Sequence, residues 1–383
     1  MFNALARLRD RFFGDGEDTV SVPVFDGALK PNNLLEEAQI FAELPGLEDL
    51  ALSAQGVLHA ACGNDVLRFD ASGIATVVVS FSAPVQALAL FADGGVAVAS
   101  GGSIHCEGGA AHGKKLELFE GQSLAGVNAL HVAPDGQLLI SQGSLKRPYA
   151  EWRHDLLEGG HSGRVLAFDT ATSTTRVLAA GLAYCYGVCS DSTSASIGHA
   201  GRILASESWA HRVSAVNGSM NASIKETNKN LSSVASALPG YPARISPAKG
   251  GGYWLSVFAG RTQLLEFVLR ENDFRDEMMR TVEPRYWIAP ALSSGGDYLE
   301  PLQGGSVKQM GILKPWAPPR SYGLLVRINA KLEPIFSLHS RVGGKHHGIV
   351  AAVEHAGFVY ALSKGSGRIV RIALTDINMK GIA

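Results

Sequence analysis

The sequence predicts an all-β fold, a six-bladed β-propeller, on three observations. Short apolar runs recur in pairs across a tight turn, the turn glycines repeat at a near-constant spacing, and helical periodicity is nearly absent between Glu48 and Asn272. The first pairs are residues 50–52 with 57–61, 88–90 with 96–99, and 130–132 with 138–140. Their glycines, Gly56, Gly94 and Gly136, lie 38 and 42 positions apart, close to the roughly 40–45 residues of a four-stranded propeller blade. Three later units keep the pattern at 186–207, 244–257 and 349–362. Six small sheets arranged radially bury both faces of each against its neighbours and leave no long edge open.

In chain order, residues 1–34 form an N-terminal extension and residues 35–383 the propeller. Residues 1–13 set Arg7, Arg9 and Arg11 among Leu5, Leu8, Phe12 and Phe13, without the apolar run or cleavage site of a secretory signal. Two readings stay open: an amphipathic helix resting on a membrane surface or partner, or a frayed terminal helix. Residues 40–44 are free to supply the outer strand of the last blade and so staple the ring shut. Between 270 and 322 the β rhythm stops: 272–282 looks helical, and Lys314-Pro-Trp-Ala-Pro-Pro-Arg320 cannot be a central strand. This predicts a partly helical insertion after the fifth blade's inner strands, either a lid or a buttress on the rim.

Composition excludes several function classes. With 383 residues, 46% hydrophobic and 18% charged, the chain can bury a sizeable core and is not disordered. Lys plus Arg total 34 against 35 Asp plus Glu, so the net charge of -1 gives no field to gather nucleic acid. No run approaches the roughly 18 apolar residues of a membrane span, and a cytoplasmic location is expected. Cys62, Cys106, Cys185 and Cys189 form no Cys-x-x-Cys pair and read as buried thiols. Glycosylation-type triplets at Asn217, Asn221 and Asn230 matter only for an exported chain.

Counting back from equivalent turn glycines, and from the Tyr186-Gly-Val start of the fourth unit, gives a ring of inner-strand residues: Glu48, Gln86, Asn128, Tyr186, Arg244 and Ile349. Five of the six are polar or aromatic, where a purely structural strand favours β-branched residues. The ring should surround the mouth of the central channel, the natural place for a small-molecule site.

The stretch 126–191 contains Val127-Asn-Ala, Asp155-Leu-Leu-Glu-Gly-Gly and Gly181-Leu-Ala-Tyr-Cys-Tyr-Gly-Val; Asp26-Gly-Ala-Leu-Lys-Pro-Asn, Leu238-Pro-Gly-Tyr-Pro and Ser321-Tyr-Gly-Leu-Leu-Val-Arg flank it. In order and spacing these tags resemble the strictosidine synthase-like family. The resemblance implies a six-bladed propeller related to the calcium-dependent lactonases of the gluconolactonase and paraoxonase type. It implies calcium ligands at Glu48 and Asn128, but Tyr186 and Ala243-Arg244 stand where those relatives carry further oxygen ligands. A hard divalent cation wants six to eight oxygens, and a neighbouring guanidinium opposes it. The expectation is therefore no resident metal, with calcium at Glu48 and Asn128 the alternative. Val350 occupies the position of the glutamate that the family's amine condensation uses, so the resemblance does not carry that reaction.

The residues suggest a replacement chemistry. Arg244 offers a fixed cationic fork, and Glu48 is expected to pair with it across the channel; the same pair read blandly only fills and stiffens the channel. Gln86, Asn128 and Tyr186 are candidate substrate contacts, or else satisfy backbone groups and plug the mouth. Gly343-Gly-Lys-His-His-Gly348 brings His346 and His347 near as general bases, if it is not simply a solvated loop. Trp287 and Trp316 on the insertion could cover an organic substrate, while Trp209, Tyr253 and Trp254 read as packing between blades. His131 should face away from the site, and His105, Cys106 and His112 read as loop. The expected function is an enzyme acting on a small organic molecule by metal-independent hydrolysis of an ester or lactone. The alternatives are a carbon–nitrogen or carbon–oxygen lyase or condensing enzyme in the same pocket, and a non-catalytic propeller that binds a ligand or protein.

Overall fold

The computed structural model describes residues 22–190, 202–216, 231–301, 308–309, 312–313 and 320–380. Six four-stranded antiparallel sheets surround an axis, and their inner strands touch in a closed cycle. Blade 1 comprises Leu47–Leu52, Leu58–Cys62, Asp65–Phe69 and Ala75–Ser80; blade 2, Val85–Leu90, Val96–Ser100, Ser103–Glu107 and Lys115–Leu116. Blade 3 comprises Val127–Val132, Leu138–Gln142, Gly163–Asp169 and Thr174–Leu182; blade 4, Cys185–Ser190, Ile203–Glu207, Arg212–Val216 and Leu231–Ala235. Blade 5 comprises Gly240–Pro247, Tyr253–Gly260, Gly323–Ile328 and Pro334–Ser340. Blade 6 takes Ile349–His355, Phe358–Ser363 and Arg368–Ala373 from the chain's end and Gln39–Glu43 from its beginning. The predicted propeller and its terminal staple are both present.

Burial follows position in the blade. Every residue of Val96–Ser100 is buried, while the outer strand Ala75–Ser80 is largely exposed. Strands with a neighbouring blade on each face read as continuous apolar runs rather than alternation. The repeat itself is a steric requirement: Gly56, Gly94 and Gly136 turn at φ +78, +92 and +83, in the left-handed region that glycine enters without cost from a side chain.

Before it joins blade 6, the N-terminal segment runs along the outer strand of blade 5. Asn32 donates to Ser337 O at 2.7 Å, Ser337 donates to Ala28 O at 3.0 Å, and Phe25 stacks on Tyr322 at 5.3 Å.

Two excursions rise from one end of the ring. The insertion leaves blade 5 after Gly260 and returns at Gly323. It begins earlier than the expected residue 270, because Thr262 caps a first helix, Gln263–Val268, ahead of the anticipated one at Asn272–Thr281. The other, residues 143–162 of blade 3, carries a short helix, Trp152–Leu157, that the repeat pattern did not signal. Leu157 packs with Val268, Met278 and Trp287, joining the two excursions. Trp287 is 1% exposed and donates to Val282 O at 2.8 Å, so it anchors the insertion instead of covering a substrate. Trp316 lies outside the described residues.

Other expectations are refined. Cys106, Cys185 and Cys189 are buried free thiols and Cys62 is partly exposed. His105 and Cys106 lie in the third strand of blade 2 rather than a loop. Among the described residues no helix is long and apolar enough to cross a membrane.

Candidate functional site

In every blade the inner strand slips register against its partner near its start. The slips fall between Leu47 and Asp49, Val85 and Ala87, Val127 and Ala129, Cys185 and Gly187, Pro242 and Ile245, and Ile349 and Ala351. Such a bulge frees one residue from the ladder and re-aims its backbone and side chain. The freed residues are Glu48, Gln86, Asn128 and Tyr186, the Ala243 and Arg244 pair, and Val350. Register counting thus found five members of the ring and missed the sixth, taking Ile349 for Val350. The reason is the hairpin: residues 356–357 link blade 6's inner strands where blade 1 uses 54–56, which moves the turn glycine by one.

Arg244 spans the axis, only 7% exposed. Its Nη1 donates to Glu48 O and its Nη2 to Gln86 O, both at 2.9 Å, so it satisfies the bulge carbonyls of blades 1 and 2. Its Nε lies 3.0 Å from Asp49 Oδ1, and the Tyr186 ring covers the guanidinium at 5.5 Å. The expected pairing of the Glu48 carboxylate with Arg244 does not form; the next residue, Asp49, takes that place. Asp49 also accepts from Leu50 N at 2.8 Å and Leu88 N at 3.1 Å. Burial pushes the Asp49 carboxyl up to about 6, with Arg244 and those two amides pulling the other way. Burial alone would pull Arg244 down, but Asp49 and the tyrosines beside it hold it above its ordinary value and charged.

Glu48 has another cation. Its Oε2 lies 2.6 Å from Lys364 Nζ and accepts from Tyr149 OH at 2.7 Å, while Lys364 donates to Tyr149 OH at 2.9 Å. Among the described residues nothing donates to Glu48 Oε1. Lys364 comes from the turn after blade 6's second strand and Tyr149 from the blade 3 excursion. Trp152, Tyr184, Tyr186, Trp209 and Phe258 wall this cluster, and Leu292 of the insertion closes it, leaving a cavity of about 10 Å³. Trp209 stacks on Tyr184 at 4.3 Å, so it belongs to the mouth as well as to packing. Burial pushes the phenols of Tyr149, Tyr184 and Tyr186 above their usual range. The cap sits closely: a Cβ on Gly365 would meet Leu292 O at 1.9 Å. Gly365→Ala is therefore expected to lift the insertion and cost more than about 1 kcal/mol, read as a lower urea midpoint.

The remaining predicted residues divide. Asn128 is fully buried; its amide donates to Cys185 O at 2.9 Å and it accepts from Tyr184 OH at 3.4 Å, a backbone-satisfying role. Among the described residues nothing donates to the buried Gln86 Oε1. His346 lies beside Glu36, Lys345 and Arg368, its Nδ1 without a partner among the described residues, and His347 is held between Ser321 Oγ at 2.7 Å and Arg341 O at 2.9 Å. No hydrogen bond or ion pair among the described residues joins either histidine to Glu48 or Arg244. Lys364, Tyr149 and Asp49 are the members that sequence reasoning missed. Asp49 alone carried a signal, as the inward neighbour of a bulge.

Below the Arg244 strut the channel continues as a cavity of about 280 Å³ reaching His131 and Glu354. His131, 2.8 Å from Ser190 Oγ and pushed down to about 4 by burial, lies farther down the axis than the upper mouth but lines this cavity together with Asp49 and Arg244, where strand alternation had it facing away from the site.

The ring's oxygen donors are committed to other partners. Glu48 already grips an ammonium, Asn128 is spent on the backbone and Tyr184, and Arg244 fills the axis. Among the described residues no three His, Cys, Asp or Glu side chains are grouped to hold a metal ion.

A family model described as strictosidine synthase matches residues 128–197. Protein STRICTOSIDINE SYNTHASE-LIKE 6 of Arabidopsis thaliana is 30% identical over 164 residues, 41% of this chain and 40% of that protein. Adipocyte plasma membrane-associated protein of Salmo salar is 25% identical over 194 residues, 47% of this chain and 44% of that one. The chain thus spans less than half the length of these curated relatives. Among solved structures, a gluconolactonase from Xanthomonas campestris superposes with a TM-score of 0.55 at 13% identity, covering 92% of this chain and 96% of that one; at that identity the likeness is one of fold.

Proposed function

We propose that this six-bladed propeller, similar over part of its length to strictosidine synthase-like proteins, is an enzyme hydrolysing an ester or lactone of a small organic molecule at the insertion-capped mouth, without a resident metal. The observation that carries this reading is the Glu48 carboxylate, gripped through Oε2 by Lys364 and Tyr149 and unoccupied at Oε1. Oε1 is the general base for water, the Lys364 ammonium, with a third N–H to give, stabilises the developing oxyanion, and Tyr149, its one proton given to Oε2, orients the carboxylate. The aromatic walls take the apolar part of the substrate, and Gln86 Oε1 is an acceptor awaiting a donor. Arg244 is the strut behind this site rather than its oxyanion group, and neither His346 nor His347 is its base. With about 10 Å³ free, substrate entry requires the insertion or the Tyr149 excursion to move.

The test is a panel of lactones and aryl esters with and without chelator. Turnover is expected to survive chelator and to fall about 10²–10³-fold in Glu48→Gln and in Lys364→Met. Activity abolished by chelator and restored by calcium, or unchanged in both variants, would refute it. The filled mouth favours a second reading, a propeller that binds a ligand without turning it over; this is the outcome if no ester reacts while a ligand raises the melting temperature.

A further inference from the structure

Away from the Glu48 cluster, a chain of hydrogen bonds runs through the base of the insertion. Ser294 Oγ lies 2.5 Å from Ser321 Oγ, Ser321 Oγ lies 2.7 Å from His347 Nδ1, and His347 Nε2 lies 2.9 Å from Arg341 O. The direction of this chain is fixed at its far end. A carbonyl oxygen only accepts, so Nε2 carries the proton. Burial holds the imidazole below its usual pKa, against Glu36 and the Arg341 carbonyl, so the ring is neutral and Nδ1 presents a lone pair. Ser321 therefore donates to Nδ1. With its one proton spent, Ser321 accepts from Ser294.

Ser321 and His347 are buried, 1% and 7% exposed, whereas Ser294 at the outer end is exposed. The two residues after Ser294 supply a second, independent feature. The backbone N–H groups of Gly295 and Gly296 donate to the Glu300 carboxylate at 2.9 and 3.3 Å. Arg320 Nη1 stands 3.7 Å from the same carboxylate. The two amides, one on each oxygen of the carboxylate, form a backbone anion nest beside a polarised hydroxyl, and the donors of such a nest can serve an oxyanion once the carboxylate leaves.

We propose that Ser294 is the nucleophile of a covalent acyl-transfer centre acting on small carboxylic esters, with Ser321 and His347 as its proton relay and Glu300 as an internal plug of its oxyanion site. This centre uses none of the Glu48 cluster's side chains and does not rest on the function proposed for it. When Glu300 swings out, Ser294 Oγ attacks the ester carbonyl carbon. Its proton passes to Ser321 as the Ser321 proton passes to His347 Nδ1, and the oxyanion takes the amides of Gly295 and Gly296. Collapse breaks the bond to the alcohol, which leaves with the proton returned through Ser321. Water then attacks the acyl-serine through the same relay, releasing the carboxylic acid and restoring the Ser294 hydroxyl.

The test is reaction of the full chain with an alkyl fluorophosphonate, followed by intact mass and peptide mapping. One adduct is expected on Ser294, forming at least tenfold faster in Glu300→Ala and absent in Ser294→Ala. Ser321→Ala is expected to slow it at least tenfold while circular dichroism and the urea midpoint report whether the fold is kept. His347→Gln, which keeps a donor for Arg341 O, should slow it similarly. Absence of a Ser294 adduct in both wild type and Glu300→Ala would overturn the proposal, as would a rate unchanged in folded Ser321→Ala.

Discussion

Arg244→Met is expected to lower the stability of the propeller by about 3–5 kcal/mol, the cost of removing one partner of a buried ion pair. Asp49 is 2% exposed and would lose its counter-cation, so that it must either stay charged beside an apolar chain or take up a proton, while Glu48 O and Gln86 O would lose the donors that satisfy them. The double variant Asp49→Asn with Arg244→Met should recover much of the loss, because the pair itself carries a desolvation cost that the neutral combination avoids. Urea titrations of the three variants at neutral pH measure this. An unchanged midpoint in Arg244→Met would show that the guanidinium does not brace the ring.

The pH dependence gives an independent check. Burial holds the Asp49 carboxyl at about 6 in the folded chain, against about 3.9 in an unfolded one. Between those values the folded state binds the extra proton, so the contribution of Asp49 to stability falls as pH rises from about 4 to about 6 and is level above. Integrated over the window the effect is about 3 kcal/mol. Asp49→Asn should remove that contribution, seen as a wild-type urea midpoint that drops relative to the variant's between pH 4 and 6.

This pairing also marks where sequence reading succeeds and where it stops. The blades were legible because the turn glycines and apolar hairpin runs are local steric and solvation requirements that recur. The closing strand was legible because Gln39–Glu43 had no partner nearby in sequence and the last blade lacked an outer strand. The axial chemistry was half legible. Equivalent positions in a repeat identified Glu48, Gln86, Asn128, Tyr186 and Arg244, but each partner was chosen by the bulge. A strand slip turns both Glu48 O and Asp49 toward the axis, and no pattern in one sequence distinguishes a carboxylate that reaches across from a carbonyl that does. Lys364 and Tyr149 were out of reach for another reason. Both come from connections between strands, Lys364 from a short turn and Tyr149 from an excursion, where loop path rather than periodicity decides which side chains meet. His347 shows the complementary case: its residue type pointed to proton transfer, while its partners, Ser321 and Ser294, sit on an insertion without repeat equivalents.

Deleting residues 1–43 is expected to abolish cooperative unfolding altogether. Gln39–Glu43 is the fourth strand of blade 6, paired with Arg368–Ala373 from the other end of the chain. Its loss strips Ile369 and Val370, both fully buried, of a neighbouring strand and opens that edge to pairing with other molecules. It also removes Phe41, which packs edge-on against Tyr360 at 5.1 Å and lies 6.0 Å from Phe69 of blade 1, so the seam between the last and first blades loses its filler. Leu35, fully buried in the core beside blade 6, goes with it. Each such side chain contributes about 1.5–3 kcal/mol by burial, and together with the ladder they approach the roughly 5–15 kcal/mol that holds a domain folded. Size-exclusion chromatography is expected to show aggregates, and urea titration no sigmoidal transition. A peptide of residues 22–46 added in trans should restore a monomer peak, because it carries the strand, Leu35, Phe41 and the contacts to Ser337. A truncated chain that stays monomeric with the full-length midpoint would mean that blade 6 closes the ring with three strands, and that the N-terminal segment merely decorates it.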